Sequence, residues 1–459
     1  MHTDPRELLN RSPMSPLQII VVGITIGLNA LDGFDVLSIS FASPGIAQEW
    51  GIDRAALGIV LSMELIGMAM GSLLLGGVAD KVGRRPTILG CLMAMALGMF
   101  MATTVSSLIE LSIWRIVTGL GIGGMLASIN AVAAEFSNSK RLPTCIALMS
   151  IGYPVGAVLG GMVVAQLLAA PGSDWRSVFY FGTGVTVFCI PLVYFLVPES
   201  VHWLSRKQPV GALEKINRSL QRMKHSVVTA LPVITAEARK KSSGDIFAPA
   251  LLAITVILAL AYFLHVTTFY FILKWVPKIV TDMGFTPSEA AGVLVWANVG
   301  GALGGVVLGL LTIRFEVKRI TLLVLFLSAV TVAMFGQTIA DLNRIALLVA
   351  FAGFFTNAGI VGLYTIMAQA FPTHARAFGT GFAVGFGRGG SVISPIIAGF
   401  LFEAGYELPE VAAGMALGSL IAAGVLLFLK LNPDRSGDVP APVAEEAGQP
   451  VPVIPAQAG

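Results

Sequence analysis

Long apolar runs separated by short polar stretches organise this chain. Six runs lie near 17–42, 55–78, 87–106, 109–134, 143–169 and 177–197. A polar stretch follows at about 201–247, and six more runs lie near 249–273, 287–312, 320–338, 344–369, 376–402 and 409–430. A helix crosses the hydrocarbon core with roughly 20 apolar residues, so each run suffices for one crossing. Backbone polar groups in lipid must bond within their own segment, which makes each run helical. The pattern predicts an all-α integral membrane protein of twelve transmembrane helices in two six-helix bundles. The expected division is an N-terminal segment 1–16, a first bundle 17–200, a central loop 201–247, a second bundle 248–430 and a tail 431–459. The tail is rich in Pro, Ala and Val and is expected to be disordered.

Composition narrows the class further. The 459 residues are 55% hydrophobic and 12% charged, against about 25% charged in soluble domains. This excludes a soluble enzyme, a nucleic-acid binder and a disordered scaffold. Charge placement carries more than the net +3. With a cytoplasmic N-terminus, 22 of the 29 Lys and Arg residues face the cytoplasm, nine of them in the central loop. The external loops hold five: Arg54, Arg176, Lys274, Lys278 and Arg344. Such a bias places both termini in the cytoplasm. The opening MHTDPRELLNRSPMSP has no short apolar run with a small-residue cleavage site, so no cleaved signal is expected. Cys91, Cys145 and Cys189 fall in apolar stretches and suggest neither a disulfide framework nor a metal site.

The halves are weakly similar. Gly152 follows Arg141 by eleven residues, and Gly387 follows Arg376 by eleven. Both lead into glycine-rich helices, GYPVGAVLGG and GFGRGGSVISP. Small residues spaced by four let helices approach closely in lipid. Two six-helix repeats around a midplane site are a common transporter plan.

Charges inside the runs need a reason, because each costs about 2.5–3.5 kcal/mol at a helix centre. They are Asp32 and Asp35 in the first run, Glu64 in the second, Arg115 in the fourth and Arg388 in the eleventh, with His265 a milder case. Asp32 and Asp35 are three apart and share one helix face, which Asn29 extends. Two close carboxylates do not both ionise cheaply in a dry site, and such a pair suits a proton carrier. Depth makes Arg115 the expected partner of Asp35. Glu64 reads equally as a proton relay or as a partner for an arginine. Glycines around Arg388 leave room for a ligand, and arginine grips a carboxylate with a planar fork. Tyr270, Trp296, Phe355, Tyr364 and Phe386 are aromatic candidates for stacking on a planar ring, with Asn298 and His265 as polar ones. For any one of them plain packing is the competing reading.

The loop after the second run, GGVADKVGRRP, resembles the loop motif of the major facilitator superfamily through Gly76, Asp80, Lys81, Gly83, Arg84 and Arg85. The resemblance implies that this motif governs the conformational switch. The Asp is expected to meet a neighbouring helix N-terminus. Its second copy, GLLTIRFEVKR, has Ile313 at the Asp position, with Glu316 as a substitute. RIVTGLGIGG from Arg115 resembles the fourth-helix motif tied to proton coupling, and PESVHWL at 198–204 the segment closing the sixth helix. More narrowly, LDGFD resembles the Asp-Gly-x-Asp signature of the aromatic acid:H+ symporters, and FPTHARAFGTGFAVGFGRGGSVISP their tenth-to-eleventh helix region. This implies roles in transport for Asp32, Asp35, Asp80 and Arg84, and matches Glu135 to an acidic position of that branch.

The expected protein is a proton-coupled importer of an aromatic carboxylate in the bacterial inner membrane, acting as a monomer in the lipid bilayer. Its proton-coupling residues are Asp32, Asp35, Glu64, Arg115 and Glu135. The substrate carboxylate meets Arg388, or Arg115 once released, and its ring stacks on the aromatics. No cofactor, metal or catalytic residue is expected. Two alternatives stand: a symporter of another organic or sugar acid, and a proton-driven drug antiporter. For the antiporter, GYPVGAVLGG lacks the Gly-Pro pairing of that class. An intramembrane enzyme would need a nucleophile–base cluster at depth, which the runs lack.

Overall fold

A computed structural model describes residues 4–231, 245–372 and 375–429. The tail 431–459 lies outside the described residues, as does part of the central loop. Twelve of its helices are long and apolar enough to cross a membrane. In the first half these are α2 (Pro16–Trp50), α3 (Arg54–Val82), α4 (Arg84–Ala102), α5 (Leu108–Glu135), α6 (Leu142–Ala169) and α7 (Arg176–Leu196). A short α1 (Pro5–Arg11) precedes them, and α8 (Val201–Lys207) and α9 (Ala212–Arg222) follow. The second half holds α10 (Pro249–Asp282), α11 (Pro287–Leu311), α12 (Val317–Gly336), α13 (Leu342–Ala370), α14 (Arg376–Glu403) and α15 (Leu408–Leu427).

Local chemistry sets the starts. Ser15 caps α2 in a reciprocal box with Gln18, and Thr286 caps α11 with Glu289. Asp53 and Ser107 accept from backbone amides at the starts of α3 and α5. Each such cap occupies amides that the first turn leaves unpaired. The apolar pattern places all twelve crossings, yet it stops two of them short. Helix α2 has 35 residues and α10 has 34. The sequence ends the seventh run at 273, but α10 continues nine residues beyond it. Lys274 is therefore not in an external loop; it is fully buried in a helix.

Glycine sets how close the helices come. A Cβ at Gly119 would fall on the Glu64 carbonyl, and one at Gly67 on the Ile116 carbonyl. The absence of side chains there lets α3 and α5 touch along their backbones. That contact carries Glu64 of α3 against Arg115 of α5. Gly33 acts in the same way on α2, where a Cβ would strike the Tyr153 carbonyl of α6. Helix α2 is continuous through it.

The halves meet through α3 with α14, α6 with α11 and α2 with α10. These contacts gather in the half of the molecule away from the termini. Gly58 lies against Pro395 and Gly399, and Ser62 donates to the Val392 carbonyl at 2.7 Å. Ser288 donates to the Ala165 carbonyl at 2.7 Å, and Arg54 pairs with Asp282 at 3.0 Å. A cavity lies between the halves on the side of the termini, reaching Asn130 and Ser150, which are exposed.

Candidate substrate cavity and buried ion cluster

The cavity holds about 590 Å³, within the roughly 300–1,000 Å³ usual for small-ligand sites. Both halves build it. Asn29, Tyr153 and Asn130 come from α2, α6 and α5, and Tyr262, Tyr270, Asn298, Asn357, Tyr364 and Arg388 from the second half. Among the described residues that line it, Arg388 is the one charged side chain.

Arg388 is half-buried and forms no ion pair among the described residues. Its Nη1 donates to the Met68 carbonyl at 3.0 Å and to the Ser72 hydroxyl of α3. A guanidinium held by neutral acceptors keeps its full positive charge for an anion. Around it stand hydroxyls and amides. Tyr262 and Tyr364 share a hydrogen bond between their hydroxyls at 2.9 Å. Asn29 donates to the Met149 carbonyl at 2.6 Å, and Asn298 to the Leu294 carbonyl at 2.9 Å.

Several residues proposed from the sequence stand elsewhere. Trp296 is 54% exposed on the outer surface of α11 and outside the cavity wall. Phe355 packs beside Leu308 and Val324, and Phe386 packs on Phe263. None of the three reaches the cavity, because on a helix of 3.6 residues per turn only one stripe faces inward. His265 is fully buried behind the wall. Its Nδ1 meets the Ser419 hydroxyl at 2.8 Å and its Nε2 the Thr356 carbonyl at 2.8 Å. Both ring nitrogens are thus occupied, and His265 is a packing residue of the second half.

The intramembrane acids lie one layer behind Asn29, in the first half. Asp32 and Asp35 are both buried, and their carboxylate oxygens have no hydrogen-bond partner among the described residues. Asp32 shares an electrostatic neighbourhood with Asp35, Arg388 and Glu64. Arg115 does not pair with the Asp35 carboxylate as expected. Its Nη2 lies 2.6 Å from Glu64 Oε1. It also donates to the Asp35 main-chain carbonyl and to the Ser38 hydroxyl, each at 3.2 Å. The reason is the backbone contact of α3 with α5, which places Glu64 at the level of Arg115. Glu64 thus has an arginine partner. The Phe179 ring lies under the Arg115 guanidinium at 5.3 Å. Arg115 is wholly buried and off the cavity wall, whereas Arg388 lines it.

The sequence reading missed Lys274. Its ammonium donates to the Val36 carbonyl of α2 and lies 3.7 Å from Glu64 Oε2. Tyr153 and Tyr262 were also missed. A period of 3.6 residues carried through α10 from Tyr270 reaches Tyr262 and would have found it.

Glu135 stands apart from the ion cluster. It lies twenty residues beyond Arg115 on α5, or about 30 Å along the axis. There it approaches Arg84 at 3.5 Å. The loop motif packs within the first half. Asp80 pairs with Arg84 at 2.9 Å and with Arg206 of α8 at 2.8 Å. It does not sit on a helix N-terminus. Glu199 takes that place, accepting from the Arg84 amide at 3.0 Å. Burial raises the Glu199 carboxyl above its ordinary pKa, while the amides of Ser200, Arg84 and Arg85 oppose the rise. Gly83 leaves room for this carboxylate and has φ +120°, a conformation only glycine adopts freely. Arg85 donates to the Tyr194 carbonyl, Gly76 has open space around it and Lys81 is exposed. In the second copy, Glu316 pairs locally with Arg319 at 2.7 Å.

Comparison with known proteins follows the same lines. The family model described as Major Facilitator Superfamily matches residues 25–273 and 258–457. A 4-hydroxybenzoate transporter of Pseudomonas aeruginosa is 27% identical, covering 93% of this chain and 95% of its own. A gallate transporter of Pseudomonas putida is 26% identical, covering 92% and 94%. A 3-(3-hydroxy-phenyl)propionate transporter of Escherichia coli is 27% identical, covering 92% and 96%. Among solved structures, a D-xylose-proton symporter superposes with a TM-score of 0.71 at 16% identity, covering 90% of this chain and 98% of that one. The chain belongs to the major facilitator superfamily. It is a multi-pass membrane transporter with the twelve-helix fold of that family, and not an enzyme.

Proposed function

We propose that this member of the superfamily imports an aromatic carboxylate together with protons across a bacterial inner membrane. The carrying observation is the single charge of the cavity wall among the described residues, the Arg388 guanidinium, set among tyrosines and amides. A lone cation selects an anion, and the Tyr262, Tyr270 and Tyr364 rings suit a flat, partly polar body. The relatives named for hydroxybenzoate, gallate and hydroxyphenylpropionate transport support the same class. The Asp32/Asp35 pair, close to but off the cavity, serves as the proton site.

The distribution of Lys and Arg supports cytoplasmic termini. With that orientation the cavity faces the cytoplasm and the closed contacts face outside. The bundles 17–200 and 248–430 rock about the cavity as a monomer in lipid, exposing it to each side in turn. Asp80, Arg84 and Glu135 govern the inner closure, together with Glu199.

Uptake into proteoliposomes tests the substrate class. Labelled 4-hydroxybenzoate is expected to enter, with benzoate and gallate competing and xylose not. Arg388→Gln removes charge-assisted bonds of about 2–3 kcal/mol, so KM should rise at least roughly 30-fold. Competition by sugars or cationic drugs, with aromatic acids inert, would overturn this reading.

A further inference from the structure

The polar atoms of the cavity wall divide into donors and acceptors, and they divide by place. Arg388 stands on the side of α3 and α14, tied to Met68 and Ser72. Tyr262 is its neighbour, since a Cβ at Gly387 would fall on the Tyr262 ring. Tyr262 and Tyr364 share one hydrogen bond, so one O–H of the two is left to donate. This side offers a guanidinium fork and a spare O–H. Asn298 and Asn357 stand instead on the seam of α11 and α13. Asn357 Nδ2 donates to the Gly301 carbonyl of α11 at 2.6 Å, and Asn298 Nδ2 to the Leu294 carbonyl at 2.9 Å. A carbonyl only accepts, so it fixes which amide atom faces it. Each Oδ1 is left over. Neither accepts a hydrogen bond among the described residues, neither is sealed from the cavity, and both residues line it. The two are neighbours, because Asn357 lies over Gly301, one turn along α11 from Asn298. Asn29 has the same form but stands alone on α2 of the first half.

We propose that Asn298 and Asn357 read the ring hydroxyl of the substrate and so make the transporter selective for phenolic acids over unsubstituted benzoate. The inference deepens the aromatic-carboxylate reading above and rests on it. With the carboxylate on Arg388, the ring points across the cavity at the seam of α11 and α13. A phenol keeps its proton at neutral pH and donates it. The paired amide oxygens are the acceptors it meets. The carboxylate is kept from that end, because two acceptors facing an anion repel it. The pair thus sets orientation as well as preference. A ring with no donor leaves the amide oxygens unpaired once the cavity closes around it, and this separates substrate from analogue. An ether oxygen carries no proton and gains nothing there, whereas an N–H gains as an O–H does. Tyr364 lies two turns along α13 from Asn357, which keeps the spare tyrosine O–H apart from the acceptor pair.

Competition against uptake of labelled 4-hydroxybenzoate in proteoliposomes tests the inference. In wild type, unlabelled 4-hydroxybenzoate and 4-aminobenzoate should reach half-inhibition at similar concentrations. Benzoate, 4-fluorobenzoate and 4-methoxybenzoate should each need about tenfold more, the contribution of one hydrogen bond. Fluorine is close to the hydroxyl in size, so the series separates donation from shape. In Asn298→Leu and in Asn357→Leu the preference for 4-hydroxybenzoate over benzoate should fall to about threefold or less. A merely structural role would weaken both acids alike and leave their ratio unchanged. Asn298 bonds within its own helix, so its variant stays informative where Asn357→Leu, which unties α13 from α11, fails to fold. Equal inhibition by all the benzoates in wild type, or an unchanged ratio in the variants, would overturn the inference and leave the aromatic-carboxylate reading intact. Uptake that no aromatic acid inhibits, or none at all, would overturn both.

Discussion

Asp35→Asn is expected to abolish gradient-driven accumulation of 4-hydroxybenzoate while leaving exchange across equilibrated membranes. Asparagine keeps the shape of the side chain and removes its proton. Asp35 is wholly buried and its oxygens have no hydrogen-bond partner among the described residues. Little native bonding is therefore lost, and the effect isolates titration. Binding a proton and binding the substrate anion assist each other by a shared coupling energy of about 1–3 kcal/mol. Removing the proton site should lower accumulation by roughly 10- to 100-fold. Counterflow of label against unlabelled substrate, at equal pH on both sides, should persist within about threefold of wild type. Loss of both activities together would make Asp35 a structural residue. Retention of both would move the proton site to Asp32 or Glu64.

Arg115→Met should cost the most stability of any single change in the first half. Glu64 would keep only the longer contact with Lys274, at 3.7 Å. Breaking a buried pair leaves an uncompensated charge and costs about 3–5 kcal/mol. The purified variant should melt well below wild type or fail to reach the membrane. Removing the charge from all three members of the cluster, as Glu64→Gln with Arg115→Met and Lys274→Met, should restore much of the melting temperature. A single variant that melts like wild type would mean that the pair holds nothing. A triple variant no better than the single would assign the loss to packing against Phe179 and Met99.

Much of this architecture was readable from patterning alone. Twelve apolar runs correspond to twelve helices, because lipid leaves the backbone no other way to pair its polar groups. The charged positions in those runs were equally visible, since each breaks a pattern that costs energy to break. Partnership was not. Asp35 and Arg115 match in depth and are opposite in charge, but the choice of Glu64 depends on Gly67, Gly71, Gly119 and Gly123 bringing two backbones into contact. No one-dimensional reading ranks depth against such an approach. Lys274 was lost for a related reason. A lysine followed by Pro277 and Lys278 reads as the end of a crossing, whereas a helix of 34 residues carries it on into the interior. The aromatic candidates divide by helix face. Tyr270 and Tyr364 point inward while Trp296 and Phe386 point out, and the eleventh run is too rich in glycine for its pattern to mark a face.

The central claim is that a proton travels inward with each aromatic acid. Movement of protons on addition of substrate measures it most directly. Right-side-out vesicles in weakly buffered medium, without an imposed gradient, receive 4-hydroxybenzoate while external pH is followed. The account predicts alkalinisation that follows entry of label and disappears with Asp35→Asn. Entry of label with no pH change, or with acidification, would contradict it.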